Sequence, residues 1–330
     1  MRYAPLLLII ASLFLSGCYT IKQGFTFLSY LRKAERLEKL VPSEENRQFV
    51  ERVADIRAFA VNELGLKNTK NYTRYVEIDR DYLALVVSAS AKDSFSPYLW
   101  RFPIVGAVPY KGFFEDADAR IEVEKLKRED LDILVRRVDA FSTLGWFQDP
   151  LYSYMKKYPV HRLADLIIHE SLHATIYLKG ESQFNEELGE FVGKKGAQLY
   201  METRFGVNSP EYREMMDEAA DEETFVALIL ELAQELEIIY AAGVPRAEKL
   251  ALKEKTIKAA QDRFLADYSS LFKSERYRFF ADLQVNNAYL ELFRLYHEAN
   301  PLIEDLFEQA SGDFPSFIAL IHAQRAKSIK

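Results

Sequence analysis

Several features that would place this chain in a special class of protein are missing from its sequence. A single cysteine, Cys18, excludes a scaffold held together by disulfides. There is no long run of lysine or arginine, and the formal charge of −7 disfavours nucleic acid as a partner. No repeat or low-complexity segment is visible. The composition over 330 residues, 49% apolar and 28% charged, is typical of a globular protein with a sizeable core.

The N-terminus has the pattern of a signal peptide. An almost unbroken apolar run extends from Leu6 to Leu15, which is too short for a membrane-spanning helix but long enough for a signal-peptide core. The run ends at Ser16-Gly17-Cys18, and small residues before a cysteine resemble the lipobox of bacterial lipoproteins. This resemblance implies a lipoprotein signal peptide over residues 1–17 and an acylated, membrane-anchored Cys18. The alternative is an ordinary secretory signal with an incidental cysteine.

The residue after the cysteine bears on the location of the protein. Tyr19 stands where aspartate would favour the inner membrane, by resemblance to sorting in Gram-negative bacteria. The sequence therefore predicts a protein of the bacterial cell envelope, lipid-anchored in the outer membrane and facing the periplasm.

The rest of the chain changes character near residue 150. Before it, helices are predicted over 20–40 and 43–64, with Ser43 as a cap, and β-rich runs over 82–90, 103–109 and 135–141. After it, helices are predicted over 160–179, 184–204, 210–241, 245–272, 276–298 and 314–326. We therefore predict a predominantly helical α+β protein. A mixed α+β lobe with a small mixed or antiparallel sheet covers residues 18–150, and a helical catalytic lobe covers 151–330.

One segment of the helical lobe has catalytic chemistry, the H-E-x-x-H motif His169-Glu170-Ser171-Leu172-His173. Histidines four residues apart share one face of a helix, so both can bind a single metal ion. Glu170 is about 100° from His169 round the helix. At that position a base lies beside the metal and can take a proton from a metal-bound water molecule. Ile167 and Ile168 help make this helix apolar nearly all round, which predicts burial and disfavours a surface helix with incidental histidines.

A catalytic zinc site needs a third protein ligand besides the two histidines. No third histidine follows nearby, but Glu186 lies 13 positions after His173, and Glu190 is one turn further on the same helical face. Asn185-Glu186 resembles the gluzincin pattern, in which the glutamate of an Asn-Glu pair is the third ligand and an acid four residues later orients a ligating histidine. The resemblance implies Glu186 as the ligand and Glu190 as the orienting acid. Glu187 is the alternative ligand, because the spacing is shorter than in the best-known gluzincins.

Three glycines recur in the same predicted helix, at positions 189, 193 and 196. Each costs about 1 kcal/mol relative to alanine inside a helix, so their common face is expected to have a packing role. We expect this flat face to pack against the H-E-x-x-H helix and to bring the glutamates to the metal. Flexible glycines in a weak helix are the alternative.

Several runs, the motif among them, carry a wider resemblance. They are the lipobox, Phe102–Phe114, Ser142–Pro150, the segment HESLHAT and Asn185-Glu186-Glu187. Together they resemble a family of bacterial lipoproteins named as aminopeptidases, over nearly the whole mature chain. The resemblance implies a gluzincin-type zinc metallopeptidase with one Zn²⁺ per chain, and the aminopeptidase activity comes from the family's name.

The leading hypothesis is a membrane-anchored zinc peptidase with Glu170 as general base and a peptide as substrate. The alternatives are a zinc endopeptidase acting on envelope proteins and a non-enzymatic, lipid-anchored assembly protein with a structural metal. The last is disfavoured because a structural site has no use for Glu170.

Two further roles in such a site have several candidates. An aminopeptidase needs an acid for the substrate's α-ammonium group, and the candidates are Glu187 and Asp149. A residue that stabilises an oxyanion is expected among Tyr110, Tyr289, Tyr296 and His297. Asn286-Asn287 is a polar pair in an apolar segment and a candidate lining of the cleft.

Overall fold

A computed structural model describes residues 19, 22–40, 43–102, 106–139, 148–178, 181–296 and 300–328. The chain divides into two compact units, which we call the sheet unit and the HExxH unit. The sheet unit comprises residues 1–32, 82–140 and 220–297, and the HExxH unit comprises residues 33–81, 141–219 and 298–330. The units therefore alternate along the chain, and residue 150 lies within the HExxH unit.

The predicted fold class is confirmed, since the chain is mostly helical with small sheets in its N-terminal half. The helices are α1 (22–33), α2 (Glu44–Asn62), α3 (Asp116–Arg128), α4 (Val160–Thr175), α5 (Ser182–Phe205), α6 (Pro210–Ala241), α7 (Arg246–Leu271), α8 (Asn287–Tyr296), α9 (Pro301–Gln309) and α10 (Phe314–Ser328). The strands are β1 (Glu35–Arg36), β2 (Arg74–Val76), β3 (Ala84–Ala91), β4 (Trp100–Phe102), β5 (Gly106–Val108), β6 (Tyr110–Phe113), β7 (Leu131–Val138) and β8 (Leu151–Tyr152). Short 3-10 helices cover Leu37–Lys39, Ser153–Lys157 and Arg278–Asp282. No helix of the described residues has the length and apolar character needed to cross a bilayer.

In the sheet unit, β3 is the central strand of a three-stranded antiparallel sheet. It pairs with β6 and β7, with Val87 opposite Lys111 and Val135. Apolar clusters cover both faces of this sheet, and the adjacent β7 residues Ile133 and Leu134 belong to different clusters. α3 contributes to one cluster and α6, α7 and α8 to the other. Because both faces are buried, the β3 sequence is a nearly continuous apolar run.

In the HExxH unit, α4 packs against both α2 and α5. Leu163, Ile167 and Leu172 of α4 have no exposed surface, as the apolar circumference of this helix predicts. α2 begins as predicted at Ser43, whose hydroxyl accepts a hydrogen bond from a backbone N–H in the first turn. A small sheet completes the unit, in which β2 pairs antiparallel with β1 and parallel with β8.

Some elements differ from those that the sequence predicts. The predicted helix 276–298 is wrong as a single helix, because a 3-10 turn ends at Asp282 and α8 begins only at Asn287. The side chain of Asn286 accepts a hydrogen bond from the Tyr289 N–H and so caps α8. The first helix, predicted to reach residue 40, ends at residue 33, because the chain then forms β1 and pairs with β2. A further helix, α3, was not predicted. The charged sequence of α3 places only a narrow apolar stripe, including Ala119 and Leu126, against the sheet.

Candidate metal centre

Helix α4 presents the two motif histidines to a common point. It begins after Pro159, as predicted, but ends at Thr175, four residues before the predicted end. The Thr175 hydroxyl accepts a hydrogen bond from the backbone N–H of Lys67, which ties the chain leaving α4 to another segment of the unit. The Nε2 atoms of His169 and His173 lie 3.0 Å apart, as expected for residues one turn apart on one face.

Helix α5 adds a carboxylate to this pair. The Oε1 atom of Glu186 lies 3.5 Å from Nε2 of His173, and its Oε2 atom lies 3.8 Å from Nε2 of His169. The ligand atoms of all three residues lie within 4.8 Å of one another, so the group can hold a metal ion. Zinc binds nitrogen and oxygen at about 2.0–2.2 Å, which places two tetrahedral ligand atoms roughly 3.3 Å apart. The observed separations bracket this value, so the donor set fits zinc.

The neighbouring Glu187, the alternative ligand, is directed elsewhere. Its Oε2 atom accepts a hydrogen bond of 2.7 Å from the amide of Asn300, and its Oε1 atom accepts one of 2.9 Å from Gln183. Glu187 is absent from the His-His-Glu group of the described residues, whereas Glu186 belongs to it. The geometry therefore favours Glu186 over Glu187 as the third donor.

Asn185 positions the start of α5, a role that the Asn-Glu pattern alone does not reveal. Its side-chain carbonyl accepts a hydrogen bond from the N–H of Leu178, and its amide donates one to the Leu178 carbonyl, both at 2.8 Å. Only 2% of Asn185 is exposed, so little water competes for these bonds. The pair of bonds ties the first turn of α5, and with it Glu186, to the segment that follows α4.

The glycine face of α5 packs against α4, as the sequence predicts. A Cβ atom on Gly189 would lie 2.9 Å from Cε1 of His169 and 3.0 Å from Cε1 of His173. A Cβ on Gly193 would collide with Asp165, and one on Gly196 would lie 3.0 Å from Ile168. The glycines therefore provide the space that the two histidine rings and the residues around them occupy.

The electrostatics of His173 and Glu186 suit metal binding, whereas the acids around His169 favour its protonated form. Burial lowers the pKa of His173 to about 4, and the neighbouring His169 adds to this decrease. Burial also acts to lower the pKa of His169, but Glu186, Glu170 and Asp165 outweigh it, so that this pKa is raised. The hydrogen-bonding His169 lowers the pKa of Glu186. An ionised Glu186 and a neutral His173 are the states in which these side chains bind a metal ion.

Glu170 lies beside the histidines in a buried environment, with 8% of its surface exposed. Tyr72, which the sequence analysis did not identify, is its electrostatic neighbour. Burial raises the pKa of Tyr72, and the charges of Glu170 and Asp149 add to the increase. Tyr72 has a positive φ of 58°, which is unusual for an aromatic residue, and its N–H donates to the carbonyl of Asp149 at 2.7 Å. Strained backbone of this kind often occurs at functional sites. No motif around Tyr72 would have identified it.

The remaining predicted residues have varied surroundings. The carboxylate of Glu190 accepts a hydrogen bond of 2.8 Å from Lys194, and its role of orienting a histidine stays a prediction. In the sheet unit, Tyr289 is packed into an apolar cluster, which does not suit an oxyanion residue. Asn286 and Asn287 donate to backbone carbonyls of Ile133, Ala91 and Ser94, so their amides stabilise the fold. Cys18, residues 141–147 and His297 lie outside the described residues.

Comparison with known proteins assigns the chain to a family. The model of the family described as "Putative aminopeptidase" matches residues 18–328, a region that contains every residue of the candidate metal centre. No curated protein and no solved structure matches the chain. Because the match extends over far more than half of the sequence, the chain belongs to this "Putative aminopeptidase" family.

Proposed function

We propose that this protein is a zinc-dependent aminopeptidase held in the bacterial envelope by a lipid on Cys18. The observation that carries the proposal is the convergence of His169, His173 and Glu186, with Glu170 next to the first of them in sequence. Membership of the aminopeptidase family supports a peptide as the substrate.

The chain's own residues define the proton transfers of hydrolysis. Zinc supplies Lewis acidity when bound, which polarises the peptide carbonyl and lowers the pKa of water. His169, His173 and Glu186 are the ligands. Glu170 takes the proton from the attacking water and then delivers it to the nitrogen of the leaving amine. Its buried position keeps competing water away from that carboxylate.

Of the two candidate acids for the substrate's α-ammonium group, we propose Asp149. The carboxylate of Glu187 is occupied by Asn300 and Gln183. Asp149 is 5% exposed and, like Glu170, acts electrostatically on Tyr72. An ammonium group leaving water needs a nearby carboxylate, because an unpaired buried charge costs several kcal/mol.

The location in the envelope rests on the N-terminal sequence. The apolar run Leu6–Leu15 ends at Ser16-Gly17, before the chain's only cysteine. The family match also begins at Cys18. We propose that Cys18 is the acylated N-terminus of the mature chain, anchored in the outer membrane and facing the periplasm.

The variant Glu170→Gln tests the catalytic mechanism. Glutamine keeps the shape of the side chain but cannot accept the proton, so turnover should fall by roughly 10²–10⁴-fold or more. Zinc content, measured by elemental analysis, should stay near one ion per chain. Wild-type turnover in this variant would exclude the mechanism. An inactive wild-type protein with one bound zinc would instead favour a metal-binding assembly protein.

A matched pair of peptides tests the aminopeptidase assignment. One peptide has a free N-terminus and the other is acetylated, and product masses identify the bond cleaved. We expect release of the first residue from the free peptide alone, because acetylation removes the ammonium group. Equal rates on both, or cleavage at internal bonds only, would show an endopeptidase and leave the metal site standing.

A further inference from the structure

A cavity of about 640 Å³ lies beside the β1–β2 pair of the HExxH unit. Its volume is in the range of pockets that bind small ligands. The charged residues that line it are Arg36, Lys39, Lys70, Arg74, Glu35 and Glu38. The lining therefore carries a net positive charge, although the whole chain has a formal charge of −7. Such a local reversal of sign favours an anionic ligand.

Two of these basic residues face each other directly. Arg36 of β1 is the cross-strand partner of Arg74 of β2, so their side chains lie on the same face of the small sheet. The ring of Tyr75, which follows Arg74, packs against Phe49 of α2, so the arginine face is the one turned away from that helix. Like charges directly opposite each other destabilise a sheet. The fold thus retains a repulsive pair at the cavity, and a bound anion would offset the repulsion.

Three of the four basic side chains have no partner among the described residues. Arg36, Lys39 and Lys70 form no ion pair and no side-chain hydrogen bond there, not even with the two acids of the lining. Only Arg74 is engaged, since its guanidinium donates a hydrogen bond to the backbone carbonyl of Ala34. A guanidinium has five N–H donors, so this bond leaves Arg74 able to bind a ligand as well.

Hydrogen bonds hold the backbone around the cavity in place. The N–H of Leu37 donates to the carbonyl of Thr73 at 3.0 Å, which joins the residue after β1 to the residue before β2. The Thr73 hydroxyl donates to the carbonyl of Lys70 at 2.7 Å. Arg57 of α2 donates to the carbonyl of Thr69 at 2.6 Å. The basic side chains therefore extend from a fixed backbone, which reduces the entropy lost when a ligand binds.

One wall of the cavity is tied to the segment beside the proposed general base. Gln148 lines the cavity, and the N–H of the next residue, Asp149, donates to the side chain of Asn71 at 3.3 Å. The carbonyl of Asp149 accepts a hydrogen bond of 2.7 Å from Tyr72. Burial raises the pKa of Tyr72, and the charge of Glu170 adds to the increase, so these two residues are electrostatic neighbours. Directly bonded segments therefore connect the cavity to the surroundings of Glu170.

We propose that this cavity, which we call the cationic cavity, binds a carboxylate group of the peptide on which the protein acts. The peptide as ligand rests on the proposed function, whereas the negative charge of the ligand follows from the cavity itself. Arginine binds a carboxylate through two parallel hydrogen bonds, and lysine adds a point charge. The two acids of the lining limit its net charge, which suits a carboxylate better than a chain of phosphates. The substrates are therefore peptides with an acidic side chain or a free C-terminal carboxylate.

Calorimetric titration of the full-length protein with short peptides tests the cationic cavity. The substitution Glu170→Gln is introduced throughout, so that binding is measured without turnover. One series of C-terminally amidated peptides carries glutamate or glutamine at each position in turn, and a further neutral pair ends in a carboxylate or an amide. We expect the carboxylate member of at least one pair to bind about tenfold more tightly, because it gains charge-assisted hydrogen bonds. The pair that shows the difference identifies the source of the carboxylate.

Two variants remove unpaired cations of the lining, and a third is their control. In Arg36→Gln and Lys70→Gln the preference for the carboxylate peptide should fall several-fold, while the affinity for the neutral peptide stays unchanged. Lys195→Gln removes the same charge elsewhere in the unit. Lys195 is exposed on α5, forms no ion pair with any described residue and lies about 180° round the helix from Glu186. Its substitution should leave the preference at the wild-type level.

The outcomes separate this inference from the proposed function. Equal affinities within every peptide pair overturn the cationic cavity, and so does a preference that Arg36→Gln and Lys70→Gln leave unchanged. Suppose instead that the preference depends on these residues but the zinc-loaded protein without Glu170→Gln hydrolyses no peptide. The cavity then stands as a site for peptide carboxylates, and the peptidase is overturned.

Thermal unfolding of Arg36→Gln shows whether this residue serves the fold or the ligand. The variant should unfold at or above the wild-type midpoint, because the repulsion between Arg36 and Arg74 is removed. A clearly lower midpoint would assign Arg36 to the stability of the sheet and overturn its role in binding.

Discussion

At the scale of single residues, the candidate metal site depends on which of two adjacent glutamates faces the histidines. Glu186 lies 3.5 Å from His173, whereas Glu187 binds Asn300 at 2.7 Å. We predict that Glu186→Gln weakens zinc binding by more than the roughly 10–100-fold typical of losing an outer partner. Glu187→Gln should retain zinc, because a glutamine oxygen can still accept from Asn300. Competition with a chelator of known affinity measures the zinc affinity of both variants. Metal loss in Glu187→Gln together with metal retention in Glu186→Gln would show that Glu187, not Glu186, is the third ligand.

At the scale of helices, the contact between α4 and α5 requires Gly189. A Cβ there would lie 2.9 Å from the ring of His169, closer than real side chains approach, so Gly189→Ala must displace the ring of this proposed ligand. We predict weaker zinc binding in this variant, although alanine favours the helix itself by about 1 kcal/mol. Titration with Co²⁺ follows affinity and ligand geometry in one spectrum.

The matched control for this variant is Gly24→Ala. Gly24 lies within α1, and no heavy atom is within 4 Å of the position its Cβ would take. Alanine favours the helix at this position too, but it does not touch the rings of His169 and His173. The metal affinity of Gly24→Ala should therefore equal that of the wild type. Equal affinities in Gly189→Ala and Gly24→Ala would show that the close approach has no part in metal binding.

At the scale of the whole molecule, metal binding should stabilise the folded chain. A ligand that binds only the native state stabilises it by about 2.7 kcal/mol at a hundred times its dissociation constant. We therefore predict that a chelator lowers the midpoint of thermal unfolding. His169→Ala should show no such response, because it lacks one of the three proposed ligands. Calorimetry with and without chelator compares the two proteins, and an equal chelator response in both would contradict zinc binding at this site.

The alternating order of the two units also belongs to this scale. Each unit is assembled from three separate segments, and α6 begins in one unit and ends in the other. A change of composition along the sequence, such as the one near residue 150, reports local secondary structure. It cannot report which distant segments pack together, because packing partners are chosen by surface complementarity in three dimensions.

The sequence by itself determined those features that depend on neighbours within a turn or two of helix. Three predicted features are present. His169 and His173 share one face of α4, the glycine face of α5 packs against that helix, and Ser43 caps α2. Helical geometry alone relates the residues involved, so no knowledge of the tertiary structure was needed.

Only the tertiary structure decided the features that depend on contacts between distant segments. Glu186 faces the histidines because Asn300, 113 positions away, holds Glu187 and because Asn185 binds the backbone of Leu178. The amides of Asn286 and Asn287 bind backbone carbonyls more than 150 and 190 positions away, so they are structural where the sequence suggested a cleft. The backbone of Tyr72, just before β2, binds the carbonyl of Asp149, and this contact between distant segments brings Tyr72 near Glu170. Contacts between such distant residues form only when the whole chain folds. Periodicity and spacing along the sequence do not predict them.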